Sequence, residues 1–448
     1  MSTVTKKVFA TSKLPHNTGV SAWVAMLPTR EIKPRLERAR TADVVIVGGG
    51  FAGLSAARRI SQLEPALRTV VLEAGIIGEG PAGRNSGFII DLPHEVSADD
   101  YGGDCASKSQ QDIVIHRRAI ALASEIAVEH RWDSRIFDPC GRYSVAMSEK
   151  GDAHLVAYCA QLRKLGEDHR LVDAQEIASI TGTRCYTSAL FTPGTIIVQP
   201  AAYIRGVADC LREPISIYER TPALAFESNA EGWTVKTPQG SIHTGKIILA
   251  NNGHAESFGF FKGRLLQIFT YASMTKAFAP GRLSGERKWA ATPALPMGTT
   301  VRRVAGQRGD RILIRSRYTY NSMQIVSEGA LKRAGAQHDR KFKARFPGLA
   351  NVDMEYRWAG GMALTLNAVP AFGEVEHGVF AACGCNGLGA SKATASGIAA
   401  AEMMLGYNSE LTQIYRRFPA PKALPPRPFT TIGAKANLRF REWKAGAE

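Results

Sequence analysis

Residues 42–75 read ADVVIVGGGFAGLSAARRISQLEPALRTVVLEAG. The apolar, β-branched run that follows Asp43 and ends at Val47 has the pattern of a strand buried on both faces of a parallel sheet. Gly48, Gly50 and Gly53 then stand in G-x-G-x-x-G spacing. The first glycine permits a sharp turn, the second lets backbone approach a pyrophosphate, and the third lets the next helix pack on the strand. That helix is predicted over residues 52–63, and its free N-terminal amides and dipole make an anion site to which Phe51 and Ala52 contribute backbone. A second strand at 69–72 delivers Glu73, twenty residues beyond Gly53, where a carboxylate can take both ribose hydroxyls of a cofactor lacking a 2′-phosphate. The stretch predicts a dinucleotide-binding unit and by itself leaves FAD and NAD both open.

The full 448 residues are enough for two or three domains, with a composition ordinary for a globular protein. No apolar run approaches the roughly twenty residues needed to span a bilayer, and the first thirty lack a signal peptide's apolar segment. A cytoplasmic location is expected. The seven cysteines, at 105, 140, 159, 185, 210, 383 and 385, form no C-x-x-C pair, which argues against a disulfide framework and a zinc site. Cys383 and Cys385 could hold a metal or a covalent flavin, or simply be small residues in a tight turn; the last is preferred, and no metal is expected.

The formal charge of +16 is concentrated at two places. Residues 1–40 and 411–448 each carry eight Lys or Arg against two Glu, so these segments hold twelve of the sixteen excess charges. Neither has the aromatic interleaving of a nucleic-acid module, and no nucleic-acid partner is expected. Solvated tails packing on the body or on a partner are the plainer reading, with attraction to anionic substrates or membranes left open.

Further along, AGIIGEGPAGRNSGFIIDLPHE after Glu73 is too glycine-rich for helix or strand and reads as a functional loop. Helices are predicted at 108–130, 151–166 and, from Pro200, over PAAYIRGVADCLRE, with a strand at 141–148. ISIYERTPALAFE, EGWTVKTPQGSI and KIILANNGH read as three strands, and residues 266–278 and 311–326 as strands of a second sheet separated by a Gly-, Pro- and Arg-rich loop. A basic helix is predicted at 328–346. Near the end, GVFAACGCNGLGASKATASGIAAAEMMLG gives a strand, a glycine loop and a small-residue helix able to pack closely on a neighbour. A cofactor whose far end is held by that loop would be long.

Taken together, GGGFAGLSAA, LEAG, GPAGRNSGF, VQPAAYIRGVADCL, YERTPALAF, KIILANNGH, RWAGG and GCNGLGASKATASG resemble the D-amino acid oxidase and glycine oxidase family of FAD enzymes, in its gamma-glutamylputrescine oxidoreductase-like branch. The resemblance implies an α/β fold: a glutathione reductase-type FAD-binding Rossmann domain with an inserted antiparallel-sheet substrate domain. The implied division is an N-terminal arm at 1–40; a discontinuous FAD-binding domain at 41–115, 195–258 and 355–410; a substrate domain at 116–194 and 259–354; and a basic C-terminal tail at 411–448.

It also implies non-covalent FAD, because the flavin-linked cysteine that monomeric sarcosine oxidases carry near RWAGG is absent here. Gly48, Gly50, Phe51, Ala52 and Gly53 would meet the pyrophosphate and Glu73 with Ala74 the ribose. Ala223, Ala250 and Gly253 would border the adenosine half. Gly83, Arg84, Asn85, Ser86, Gly87, Gly387, Leu388, Gly389 and Ala390 would line the flavin end, with Lys392 offsetting charge on reduced flavin. The implied reaction is oxidation of a carbon–nitrogen bond in a small amine or amino acid, with hydride leaving for flavin N5 and the resulting imine hydrolysing to a carbonyl. Oxygen or another acceptor would follow, leaving open a dehydrogenase with a quinone or protein acceptor and a non-catalytic flavoprotein subunit. Arg315 and His94 are the candidate catalytic side chains, and if the strand alternates Arg317 is expected to point away from Arg315. Tyr318, Trp358 and Met362 are candidate substrate contacts, Tyr320 a further wall. Met362 stands where glycine oxidase-like members place the arginine for a substrate carboxylate.

Overall fold

The computed structural model describes residues 6–93 and 106–448. Its organising element is the strand Ala39–Val47, in which Val44 and Ile46 enter one apolar cluster while Val45 and Val47 enter another on the opposite face. A strand buried on both faces must lie inside a sheet. It pairs in parallel with Thr69–Leu72 on one side and with Ser241–Leu249 on the other. Ile215–Tyr218 extends the sheet past Thr69–Leu72, and Val379–Cys383 runs parallel to the end of Ser241–Leu249. Antiparallel strands Val8–Ala10, Ala225–Asn229, Gly232–Lys236 and Ala371–Glu376 complete nine.

The helices Phe51–Leu63, Ala106–Glu129, Pro200–Cys210 and Thr394–Met404 cover one face of this sheet. Close approach of two of them depends on glycine: a Cβ on Gly397 would lie 2.1 Å from the Ala52 carbonyl oxygen and 2.4 Å from Ser55 Oγ. The small-residue helix packs as its composition predicts.

A second, eight-stranded sheet stands beside the first, in the order Met354–Leu364, Leu266–Thr275, Arg311–Tyr320, Thr300–Val304, Trp289–Pro293, Arg142–Ala146, Ser188–Thr192, Arg170–Asp173. All its pairings are antiparallel except that of Trp289–Pro293 with Arg142–Ala146. The expected combination of a parallel dinucleotide-binding layer and an antiparallel substrate sheet is therefore present. No helix among the described residues is long and apolar enough to cross a membrane.

Four local expectations differ from the structure. ISIYERTPALAFE is two strands on opposite sides of the nine-stranded sheet, Ile215–Tyr218 at one edge and Ala225–Asn229 next to the other, because Pro222 and the turn at Arg220 (φ +52°) break the run. The loop expected between residues 278 and 311 holds Trp289–Pro293 and Thr300–Val304. Helix Ala106–Glu129 packs mainly on the parallel sheet, through Ile115, Ala119, Leu122, Ala123 and Ile126, while its Ile113 joins a cluster with Ala146 and Leu155, and strand Met354–Leu364 pairs in the second sheet, so boundaries at 115/116 and 354/355 cut near or through single elements. Finally, the basic segment 411–448 is largely helical, as Glu410–Arg417 and Phe429–Ala445.

Candidate functional site

At the C-terminal edge of the parallel sheet the chain turns through Gly48 at φ +113°, a conformation an L side chain rarely adopts. A Cβ on Gly53 would sit 1.8 Å from the Gly48 carbonyl oxygen, so the turn and the helix can meet only with glycine there. Gly50 caps the helix Phe51–Leu63 without any side-chain hydrogen bond, leaving the first-turn amides free for an anion. Beside them Glu73 accepts hydrogen bonds from the amides of Gly49 and Gly75, both at 2.8 Å. Burial raises the Glu73 pKa, and those two amides work against the rise. Glu219, fully buried behind it, accepts from the Ile77 and Lys33 amides at 2.6 Å each and from Arg30, fastening arm and loop around the turn.

From this turn a cavity of about 460 Å³ runs between the two sheets. Near the turn it is lined by Gly48, Gly50, Phe51, Ala52, Glu73, Ala74, Ala223, Ala250 and Gly253. Farther on come Arg84, Asn85 and Ser86 on one side, and Gly387, Leu388, Gly389 and Ala390 on the other. The latter four lead into a π-helical turn, Gly389–Ala393, that opens helix Thr394–Met404. Two distant loops are locked together here, since Asn252 accepts from the Gly384 amide at 2.9 Å and donates to Cys385 Sγ at 3.7 Å. The second sheet closes the cavity with Leu295, Met297, Arg315, Tyr318 and Met362.

Arg315 and Tyr318, three residues apart, both line the cavity because the strand Arg311–Tyr320 is bulged. Thr270 pairs with Tyr318 but Tyr271 with Ser316, leaving Arg317 unpaired at φ +65°. Arg317 does point away as expected, but not by alternation, which puts residues two apart on one face and would have set it beside Arg315; the bulge re-phases the strand. Arg317 turns away and pairs with Glu442, whose other oxygen accepts from the Tyr318 amide at 2.7 Å.

Three arginines near this end have different partners. Arg84 donates only to carbonyls, those of Glu79, Thr18, Ala359 and Gly19 at 2.7 to 3.1 Å, and burial pushes its pKa down to about 10. Arg302 likewise donates to the carbonyls of Ser86 (2.6 Å) and Val198 (3.0 Å) and lies 5.0 Å from the Trp23 ring, with its pKa lowered by burial to about 10. Both are clamps on backbone. Arg315 instead donates to the Tyr318 hydroxyl and, at 3.4 Å, to Ser86 Oγ, and makes no ion pair among the described residues. Of the three, Arg315 is the one whose guanidinium meets side-chain hydroxyls at the cavity wall and not backbone carbonyls.

Other candidates lie back from the lining. Gly53 supports the turn; Gly83, whose Cβ would lie 1.8 Å from the Gly78 oxygen, closes the loop that follows Glu73, and a Cβ on Gly87 would lie 2.1 Å from an Arg302 nitrogen. Lys392 pairs with Asp112 at 3.3 Å. Trp358 is fully buried in a small core with Trp23 and donates to the Arg84 carbonyl at 2.9 Å, so it holds the arginine loop instead of facing the cavity. His94 falls outside the described residues. Tyr320 is buried against Leu438 and Met297. Cys383 and Cys385 meet no third metal-ligating side chain, and no group of three or more occurs among the described residues.

Several lining residues had no sequence signal. Lys13 to Thr18 of the arm form part of the wall. Asn251 Nδ2, His254 Nδ1 and Thr270 Oγ1, all from lining residues, are buried without partners. Burial and nearby Lys13 push the His254 pKa down to about 4, so this imidazole is neutral at pH 7. A glycine turn, an uncapped helix N-terminus, a carboxylate and unpartnered polar atoms along one elongated cavity fit a long phosphate-bearing cofactor such as FAD.

The family model described as FAD dependent oxidoreductase matches residues 43–403. Among curated relatives, the probable oxidoreductase OrdL of Haemophilus influenzae is 26% identical over 424 residues, covering 91% of this chain and 93% of the relative. Gamma-glutamylputrescine oxidoreductase of Escherichia coli is 26% identical over 421 residues, covering 89% and 92%. Among solved structures, glycine oxidase from Geobacillus kaustophilus superposes with a TM-score of 0.67 at 18% identity, over 83% of this chain and 96% of that one. L-amino acid deaminase from Proteus myxofaciens superposes with a TM-score of 0.68 at 15% identity, over 92% and 99%.

Proposed function

The chain belongs to the family of FAD dependent oxidoreductases, and from that premise we propose that it oxidises the carbon–nitrogen bond of a small amine or amino acid that also bears an anionic group. The imine so formed hydrolyses to a carbonyl product. The observation that carries this reading is the single cavity joining the glycine turn at Gly48 to the Arg315–Tyr318 wall.

FAD, held non-covalently, would supply the redox chemistry as the acceptor of the substrate's hydride. In this reading Gly48, Gly50 and the amides of Phe51 and Ala52 hold the pyrophosphate, and Glu73 with Ala74 the ribose. Ala223, Ala250 and Gly253 border the adenosine half, and Arg84, Asn85, Ser86 and Gly387 to Ala390 the flavin half. Gly53, Gly83, Gly87 and Lys392 act from behind, as supports of those loops. Arg315, steadied by the Tyr318 hydroxyl, takes the anionic group of the substrate. Leu295, Met297 and Met362 give the reacting carbon an apolar wall that excludes water. Glu73 is the one acid among the described lining residues, so nothing near Arg315 stabilises an ammonium. The Arg315 charge itself disfavours one, and the amine is thereby held in its unprotonated, reactive form.

The six cysteines among the described residues are free thiols, which suits a reducing, cytoplasmic compartment. Oxygen or another electron acceptor completes the cycle, and peroxide release under air tests which. The main test is an anaerobic screen of amines and amino acids for bleaching of bound flavin. Bleaching by carboxylate-bearing amines, weakened in Arg315→Met, is expected. A yellow, folded protein that no amine or amino acid bleaches would overturn the proposal.

A further inference from the structure

The helix Phe429–Ala445 is amphipathic in an unusual sense, with an apolar stripe on each side. Its inner side, Leu438 with Ala434, packs on Met297, Tyr318 and Tyr320. Glu442 on the same side is drawn in by Arg317 and the Tyr318 amide. On the outer side Phe429, Ile432, Phe440 and Trp443 are 67%, 63%, 57% and 76% exposed. At 3.6 residues per turn these four fall within one quarter of the helix circumference. They account for every exposed Phe and Trp among the described residues, so this is a concentrated patch and not the usual scatter.

Charge identifies what covers it. Lys435 and Arg439 border the stripe, and Lys422 and Arg427 are exposed in the segment leading into the helix. Both acids of residues 411–448 face inward: Glu442 to Arg317, and Glu448 to the Met147 amide and Ser148 hydroxyl. The segment has thus segregated its acids into the protein and its bases around exposed aromatics. A second copy of the chain set against this face would oppose Lys435 and Arg439 with their own like charges. An anionic lipid surface satisfies both features, taking the aromatic stripe into the headgroup boundary and the bases into its negative potential.

We propose that the outer face of Phe429–Ala445 seats the protein on an anionic phospholipid bilayer, with the helix lying in the interface. Leu438 backs Tyr318, so the wall of the substrate cavity lies directly behind the seat.

The test is co-sedimentation of the full-length, FAD-loaded protein with vesicles of phosphatidylcholine alone or with phosphatidylglycerol added. Binding should depend on phosphatidylglycerol and weaken as salt rises. Phe440→Ser with Trp443→Ser should abolish it, and Lys435→Gln with Arg439→Gln should lower the partition constant about thirtyfold. Unchanged flavin absorbance and Tm show that each variant is folded. Binding that ignores phosphatidylglycerol, or survives the aromatic pair of substitutions, overturns the proposal. So does a dimer by light scattering that the aromatic substitutions convert to monomer, since the stripe then faces a second copy.

Discussion

Glu442 holds a turn of the substrate wall in place from a helix more than a hundred residues away, which makes it a sharp point of attack. Its two oxygens serve Arg317 and the Tyr318 amide, and the side chains of Glu442 and Arg317 are only 11% and 17% exposed. An exposed pair contributes about 0–1 kcal/mol, and breaking a buried one costs about 3–5. Burial of this degree puts the ion pair at about 2 kcal/mol, and an orphaned Tyr318 amide adds about 1 more. Glu442→Ala should therefore destabilise by about 3 kcal/mol. Glu442→Gln, which keeps an acceptor for the amide, should lose about 2.

Tyr318 is steadied by that amide and in turn steadies Arg315, so the Ala variant should also raise KM for an anionic substrate about tenfold, with kcat less affected. The assay is guanidinium unfolding of the FAD-loaded protein followed by circular dichroism, alongside initial rates. In a cycle with Arg317→Met, the double variant should lose less than the sum of the single ones. An unfolding midpoint and a KM both unchanged in Glu442→Ala would refute the reasoning, because the bulge would then stand without its carboxylate.

Gly53→Ala places a methyl 1.8 Å from the Gly48 oxygen, and should release FAD during gel filtration, read as lost absorbance near 450 nm, ~tenfold or more in Kd. Gly397→Ala forces a Cβ onto the Ala52 carbonyl at 2.1 Å, and should cost about 1–3 kcal/mol, read as a lowered Tm. Burial holds the His338 pKa down at about 3 against an ordinary 6.5, so the unfolded chain binds the extra proton, and stability is lost as pH falls from about 6.5 toward 3. At pH 5 this single group should remove about 2 kcal/mol relative to pH 7.5, and His338→Gln should flatten the Tm against pH profile in that range.

The parallel layer was legible because each of its parts has a local cause. A both-face buried strand must be apolar throughout, a tight turn with a positive φ demands Gly48, and close helix packing demands Gly53 and Gly397. The strand Thr300–Val304 was not legible for the opposite reason. Its sequence, TVRRV, places two arginines in the core, which no hydrophobic period reports. Arg303 is tolerated there by Asp310, at 2.8 Å and fully buried with it, and Arg302 by the Ser86 and Val198 carbonyls. These partners come from a residue seven positions on and from a loop and a strand elsewhere in the chain. Residues 411–448 misread similarly, since their charge count hides that both acids face inward.

The candidate site divides along the same line. The glycine turn and Glu73 belong to one continuous stretch, so spacing alone brings them together. The opposite wall depends on the phase of Arg311–Tyr320, and that phase is set by a bulge at Arg317 that local sequence does not announce. One residue of slip decides whether Arg315 has a tyrosine hydroxyl or a second guanidinium beside it. With Arg317 held outward by Glu442, Arg315 is the one arginine this strand turns toward the cavity, and Met362 stands apolar on the same wall. With Arg315 taking the substrate's anionic group as proposed, specificity would rest on how the helix Phe429–Ala445 grips one strand, and substrate choice should change with the Glu442–Arg317 pair even though neither residue lines the cavity.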